Sequence, residues 1–175
     1  MTSRLETLAQ HRLHAQPQHV SATAQATQLR GKPIQKRTAM RTAMAHLVQN
    51  PALVEQLESV DELAGLDNDD VQGVEIFMEL VDFCAKRPNI TTAQLIELWY
   101  DHPALPHLQK LAVWLLPGDE ELQTQELVDA VNHIRLGWVE ILLSRVTNII
   151  EQRDEYRTLQ QRRQDLKSRL DGHQN

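Results

Sequence analysis

The chain has 175 residues, 41% of them hydrophobic and 24% charged, with one cysteine and an aromatic share of only 4%. That is room for one ordinary core plus appendages, which excludes a large multidomain enzyme, and the scarcity of aromatic residues argues against a β-sandwich or barrel and for an all-α protein. The formal net charge of -6 is unevenly spread: seven basic residues face one acid from Met1 to His46, three face seventeen from Leu47 to His133, and eight face six in the remainder. Such blocks describe a basic arm, an acidic body and a mixed-charge helical tail, and they make direct nucleic-acid binding by the body an unfavourable expectation.

Cys84, alone, can form neither an internal disulfide nor a CxxC metal clamp, and no signal-peptide pattern opens the chain, so a reducing, cytoplasmic compartment is expected. The densest apolar stretch, Val139 to Ile150, is interrupted by Glu140, Ser144, Arg145 and Asn148, which rules it out as a membrane span.

Residues 1–35 are rich in Gln, Ala, Thr and His, are broken by Pro17, Gly31 and Pro33, and read as a flexible linker. From Lys36 the character changes. Met40, Met44, Leu47 and Val48 recur at i, i+4, i+7 and i+8, predicting a helix that Asn50-Pro51 ends. Asn50 is then expected to cap a short helix opening at Pro51 and carrying Leu53, Val54 and Leu57. Asp61 to Asp70 reads as a loop with one helical turn around Leu63. Val74, Phe77, Met78, Val81 and Cys84 give an amphipathic helix up to Arg87-Pro88, and Thr91-Thr92-Ala93-Gln94 is a capping-box pattern ahead of a helix with Leu95, Ile96, Leu98 and Trp99. A further helix, opening between Pro103 and Pro106, is expected to run through Leu108, Leu111, Ala112 and Leu115 to Pro117-Gly118.

Beyond Glu120 no proline interrupts the chain. Leu122, Leu127, Val131, Ile134, Trp138, Ile141, Leu142, Val146 and Ile149 keep an apolar stripe, after which only Tyr156, Leu159, Leu166 and Leu170 remain. A helix with so little apolar surface reads as exposed or awaiting a partner.

Catalytic patterns are sparse. Asp67-Asn68-Asp69-Asp70 begins like a calcium loop, but Val71 sits where an oxygen ligand should be and Gly73 is one place late, so an acidic loop capping the next helix is the preferred reading. His102 and His107 lack a third ligand and read as surface residues, and Cys84 reads as a small buried hydrophobe. With no glycine-rich phosphate loop, no GxSxG and no GxGxxG, neither catalysis by this chain nor a metal or cofactor is expected.

The run Lys36-Arg37-Thr38-Ala39-Met40-Arg41, continuing to Leu47-Val48-Gln49-Asn50-Pro51-Ala52-Leu53, resembles the opening of the C-terminal domain of bacterial DNA primase. Phe77-Met78-Glu79-Leu80-Val81, Ile90-Thr91-Thr92-Ala93-Gln94-Leu95, Leu108-Gln109-Lys110-Leu111-Ala112-Val113-Trp114 and Val131-Asn132-His133-Ile134 follow in the family's order, and the likeness, which runs from Lys36 to the end, is to the gammaproteobacterial type.

The resemblance implies an all-α helicase-binding domain: a helical subdomain (residues 36–133), then a long connecting helix and terminal helical hairpin (134–175), similar in fold to the N-terminal domain of the replicative helicase. It implies a fragment whose zinc-binding and polymerase domains, the parts that make the parent a DNA-directed RNA polymerase, lie upstream. Its implied partners are the helicase hexamer, gripped by the hairpin through Tyr156, Leu159, Arg163, Leu166, Lys167 and Leu170, and the acidic C-terminal tail of single-stranded-DNA-binding protein, bound by Lys36, Met40, Arg41, Met44, Lys110 and Leu111. Where family members often carry Thr, this chain has Ala39.

Lys110 is the only basic residue between Arg87 and Arg135, which fits a local anion site. Met40 and Met44 can equally be core residues, Lys110 a solvated one, and the arginines from Arg153 to Arg169 a solvated face with pairs such as Asp165 to Arg169. A free-standing helical or coiled-coil adaptor is the alternative, which requires the apolar stripe to persist past Ile150. A monomer or weak dimer is expected. The family's hairpin turns at a Gly or Asn segment, whereas Glu151 to Arg157 contains no breaker, so one helix from about Glu120 to Leu170 stays open.

Overall fold

The structure, a computed structural model, describes residues 37–172, and these contain six α-helices, two 3-10 helices and no strand. The linker reading of residues 1–35 and the role given to Lys36 lie outside the described residues. The α-helices are α1 (Ala39–Gln49), α2 (Val74–Ala85), α3 (Thr92–Leu98), α4 (Leu105–Ala112), α5 (Glu120–Arg145) and α6 (Arg153–Gly172).

The short N-terminal helices form where the apolar spacing places them. Thr38 caps α1 by accepting from the Arg41 backbone N–H, and the buried face of α1 carries Met40, Met44, Leu47 and Val48. The capping box at Thr91 and Gln94 is made in both directions. Leu63 sits fully buried on the 3-10 turn Asp61–Gly65. Gly73, at a φ of +90°, lets the chain enter α2 against α1, since a Cβ there would sit 3.4 Å from Met40 Cγ and 3.7 Å from Met44 Cε.

Three local expectations need correction. Residues Pro51–Gln56 form a 3-10 helix, and the Asn50 side chain makes no capping bond. α4 stops at Ala112 rather than reaching Leu115; Gln49 Nε2 donates to Leu111 O in its last turn (2.8 Å) and to Trp114 O beyond it (2.9 Å), and Arg37 donates to Leu115 O (2.8 Å), so side chains from α1 and its start hold the carbonyls of this end in place of a continuing helix. Finally, the long C-terminal stretch is broken between Val146 and Gln152, one turn earlier than Glu151 to Arg157. Asn148 Oδ1 receives the backbone N–H groups of Ile150 and Glu151, and the Asn148 carbonyl receives that of Gln152.

α5 organises the rest by burying two faces in succession. Leu127, Ala130, Val131, Ile134 and Trp138 join α1, α2 and α4 in the main core. Val139, with Leu136, Leu143 and Val146 around it, packs instead on Leu159 and Leu166 of α6, making the hairpin seam. Because α5 starts at Glu120, the long helix runs through residues 133 and 134 without interruption.

Between the two faces sits Arg135, only 6% exposed. Its guanidinium donates to Asn132 Oδ1 (3.1 Å) and to the Glu58 and Ser59 carbonyls (3.3 and 2.9 Å), and its Nε lies 2.9 Å from the Glu62 carboxylate. Glu62 also pairs with Arg162, and Glu58 with Arg169 at 3.0 Å, so the loop before Asp61 is tied to α5 and α6 at once. Arg169 reaches Glu58 across the fold, and Asp165 accepts from Gln161.

Removing a buried cation from such a set leaves two backbone carbonyls and two carboxylates to find water. Arg135→Ala is therefore expected to cost about 2–3 kcal/mol in urea unfolding. An unchanged midpoint and slope would mean that the cluster adds nothing to stability.

Candidate docking surfaces

The first surface lies where α1 meets α4. Arg37 stacks its guanidinium 5.3 Å from the centroid of the Trp114 ring. Arg41 on α1 and Lys110 on α4 both act on His107, whose pKa is lowered by burial first and then by the positive fields of these two side chains. The positive charges of Arg41 and Lys110 thus both reach His107. The structure does not leave Met40, Met44 and Leu111 as an open apolar floor: all three belong to the main core. The apolar surface exposed beside these cations is instead Val113 and Leu115, with half-buried Trp114 between them. Sequence reasoning missed this because a helix running to Leu115 would have placed that residue in the core.

The second surface is the hairpin. Leu159, Leu166 and Leu170 are buried, the first two in the seam against α5, so they are not the exposed docking stripe that the thinning periodicity suggested. The same packing satisfies α6 within one chain, which removes the apolar reason for a coiled-coil dimer through this helix. Tyr156 and Arg163 are half-buried and Lys167 is exposed. What the hairpin shows to solvent is charged side chains along α6 and two isoleucines at its turn, Ile149 at 54% and Ile150 at 88% exposure. The signal for the turn was Asn148 with β-branched neighbours Val146, Thr147, Ile149 and Ile150, a poor helical run with a residue suited to capping.

The remaining titratable groups have structural roles. Asp67 Oδ1 accepts from the backbone N–H groups of Asp69 and Asp70 (both 3.0 Å), Asn68 Oδ1 accepts from Gly73 N (3.0 Å), and Asp70 pairs with Arg145. This acidic loop folds on itself and ties down Gly73, but it does not cap α2 as the sequence reading expected: the N-cap is Gly73, with no side-chain bond to the first turn, because the Asp67 and Asn68 oxygens are taken by backbone N–H groups of residues 69, 70 and 73. His102 bridges α2 to the turn before α4, with Nε2 3.2 Å from Glu79 and its Nδ1 accepting from Ala104 N. Burial pushes the Cys84 thiol up to about 11, which suits a core position. No group of three His, Cys, Asp or Glu that could hold a metal ion occurs among the described residues, nor does a helix long and apolar enough to cross a membrane.

Two helical faces built for contact, on a domain of packed helices, place the chain among protein-docking modules. The solved C-terminal domain of DnaG primase from Vibrio cholerae is similar to it, with a TM-score of 0.58 and 30% identity over 71% of this chain and 95% of that one. DNA primase of Escherichia coli K12 is 36% identical over 102 residues, 58% of this chain and 17% of the relative. DNA primase of Buchnera aphidicola from Acyrthosiphon pisum is 30% identical over 131 residues, 75% of this chain and 20% of the relative. The chain therefore spans about a fifth or less of the length of these curated relatives. The family model described as DNA primase DnaG DnaB-binding matches residues 40–175, and the chain belongs to that family.

His46 gives this region a pH dependence. It is buried on α1 with Nε2 3.1 Å from Glu126, and its pKa lies below the ordinary 6.5 because burial outweighs the carboxylate, with Arg37 adding to the depression. On unfolding, its pKa returns to that ordinary value, so below it the unfolded chain binds a proton that the folded chain refuses. Stability is expected to be complete above about pH 6.5 and to fall as the pH drops through that value. Urea melts of the parent chain and His46→Gln check this: the parent should lose more stability between pH 7 and 5.5, and identical slopes would contradict it.

Proposed function

We propose that the chain is the interaction module of a bacterial DNA primase, docking on a DnaB-type replicative helicase through the hairpin of α5 and α6 and thereby bringing primer synthesis to the replication fork. The observation that carries this reading is the family match over residues 40–175, which takes in all of the described helical domain but its first three residues. The chain itself makes no primer on this reading; nucleotidyl transfer belongs to other domains of the parent protein, which works in the bacterial cytoplasm. Fluorescence anisotropy of the labelled chain titrated with the helicase hexamer tests the proposal. Saturable binding at micromolar or lower concentration is expected, and no binding at any accessible concentration would overturn it.

The second partner we propose is the acidic C-terminal tail of single-stranded-DNA-binding protein, at the face of α1 and α4. Arg41 and Lys110 supply the cations, joined by Lys36, which precedes α1 in sequence, and these meet the tail's acids and terminal carboxylate. Met40, Met44 and Leu111 act from beneath by fixing the two helices, while Trp114, Val113 and Leu115 offer the apolar surface for the tail's terminal aromatic. The acidic body elsewhere makes this local positive spot selective for a peptide that carries its charge at one end.

Calorimetric titration with that peptide should give one site, weakened about tenfold by Lys110→Ala or Arg41→Ala and by added salt. Bound carboxylates would offset the cations that depress His107, so binding takes up a proton and affinity should rise as the pH is lowered from 7.5 to 6. Binding unaffected by either substitution would move the tail to another face.

A further inference from the structure

The hairpin turn carries apolar surface that the fold of this chain does not use. Ile149 and Ile150 are 54% and 88% exposed, whereas Leu159, Leu166 and Leu170 on the adjoining helix are buried. The turn is also a built one: Asn148 holds the backbone of Ile150, Glu151 and Gln152, and Gln152 O accepts from Tyr156 N at 2.9 Å as α6 begins. Two β-branched side chains on a fixed backbone lose little freedom on contact, which is what an anchor residue needs.

We propose that Ile149 and Ile150 form the apolar anchor by which the hairpin seats on the helicase, filling an apolar notch on that partner. The inference rests on the reading of the chain as a helicase-docking module. The helicase is favoured as the occupant because the family match to a DnaB-binding domain runs through the turn, and because the α6 leucines otherwise available are spent on α5. A second copy of the chain is disfavoured on area: two isoleucines per protomer bury far less than the roughly 1,200 Å² of a stable interface, whereas on the helicase they add to whatever else the hairpin contacts.

The test is titration of the intact chain and its Ile149→Ser/Ile150→Ser double variant with the helicase hexamer, with Leu98→Ser as a control for an exposed apolar residue elsewhere, 62% exposed on α3. Both isoleucines are exposed at the turn, so the double variant should keep the parent's thermal unfolding midpoint and its binding of the acidic tail peptide. Removing both is expected to weaken helicase binding about thirtyfold or more, and Leu98→Ser to leave it within about twofold. A double variant that binds as the parent does overturns the anchor and leaves helicase docking intact. A parent chain that does not bind overturns both. A parent dimer that the double variant converts to monomer, with helicase affinity unchanged, assigns the patch to self-association and also overturns the anchor.

Discussion

Arg135 holds the point at which α5 gains a second partner. Before it in sequence the helix packs on the main core alone; after it Trp138 still joins that core while Leu136 and Val139 pack with α6, and the guanidinium binds the backbone of the loop at Glu58 and Ser59. A buried arginine at that point is costly to desolvate, and the depressed pKa that burial imposes on it reflects that cost. Two carboxylates and two carbonyls offset it, and because the same carboxylates reach Arg162 and Arg169, the cluster sets where α6 lies on the rest of the domain. The Glu58 carboxyl is held below its usual range chiefly by its bond to Arg169. Such a set fixes geometry more than it adds stability, since Glu58 is largely in water and screened there.

Much of this was legible in the sequence wherever one apolar face meets one core. Met40, Met44, Leu47 and Val48 on α1 and the Thr91 capping box on α3 are local signals with local consequences. Most of the failures are non-local. α4 ends early where donors from Gln49 and Arg37, more than sixty residues away, hold the carbonyls of Leu111, Trp114 and Leu115. α5 reads as one stripe because a 26-residue helix with two buried faces gives a smeared pattern, and past Arg135 both faces are buried at once, which has no single periodic signature. One miss is local: a Gly or Asn was looked for within Glu151 to Arg157, whereas Asn148, just ahead of that window, makes the break with a side-chain cap among β-branched residues.

The same distinction governs the candidate sites. Charge was the easier part: Lys110 stood out as an isolated cation in an acidic body, whereas Arg41, one of seven basic residues in the arm, was marked only by the family resemblance; the charges of both reach His107. Apolar site residues were harder, because a leucine or methionine at helical spacing serves a core and a docking face equally well in sequence. Met40, Met44 and Leu111 proved to be core, Leu159 and Leu166 proved to be seam, and the exposed apolar residues Val113, Leu115, Ile149 and Ile150 lie just past helix ends, where periodicity no longer says which way a residue faces.

On the proposed function the two surfaces divide the labour, the hairpin for the helicase and the face of α1 and α4 for the acidic tail. Hydrogen exchange of the intact chain, alone and saturated with the helicase hexamer, addresses this division most directly. Protection is expected over residues 146–172 with α1 and α4 unchanged. Protection confined to α1 and α4, with the hairpin exchanging as in the free chain, would contradict it.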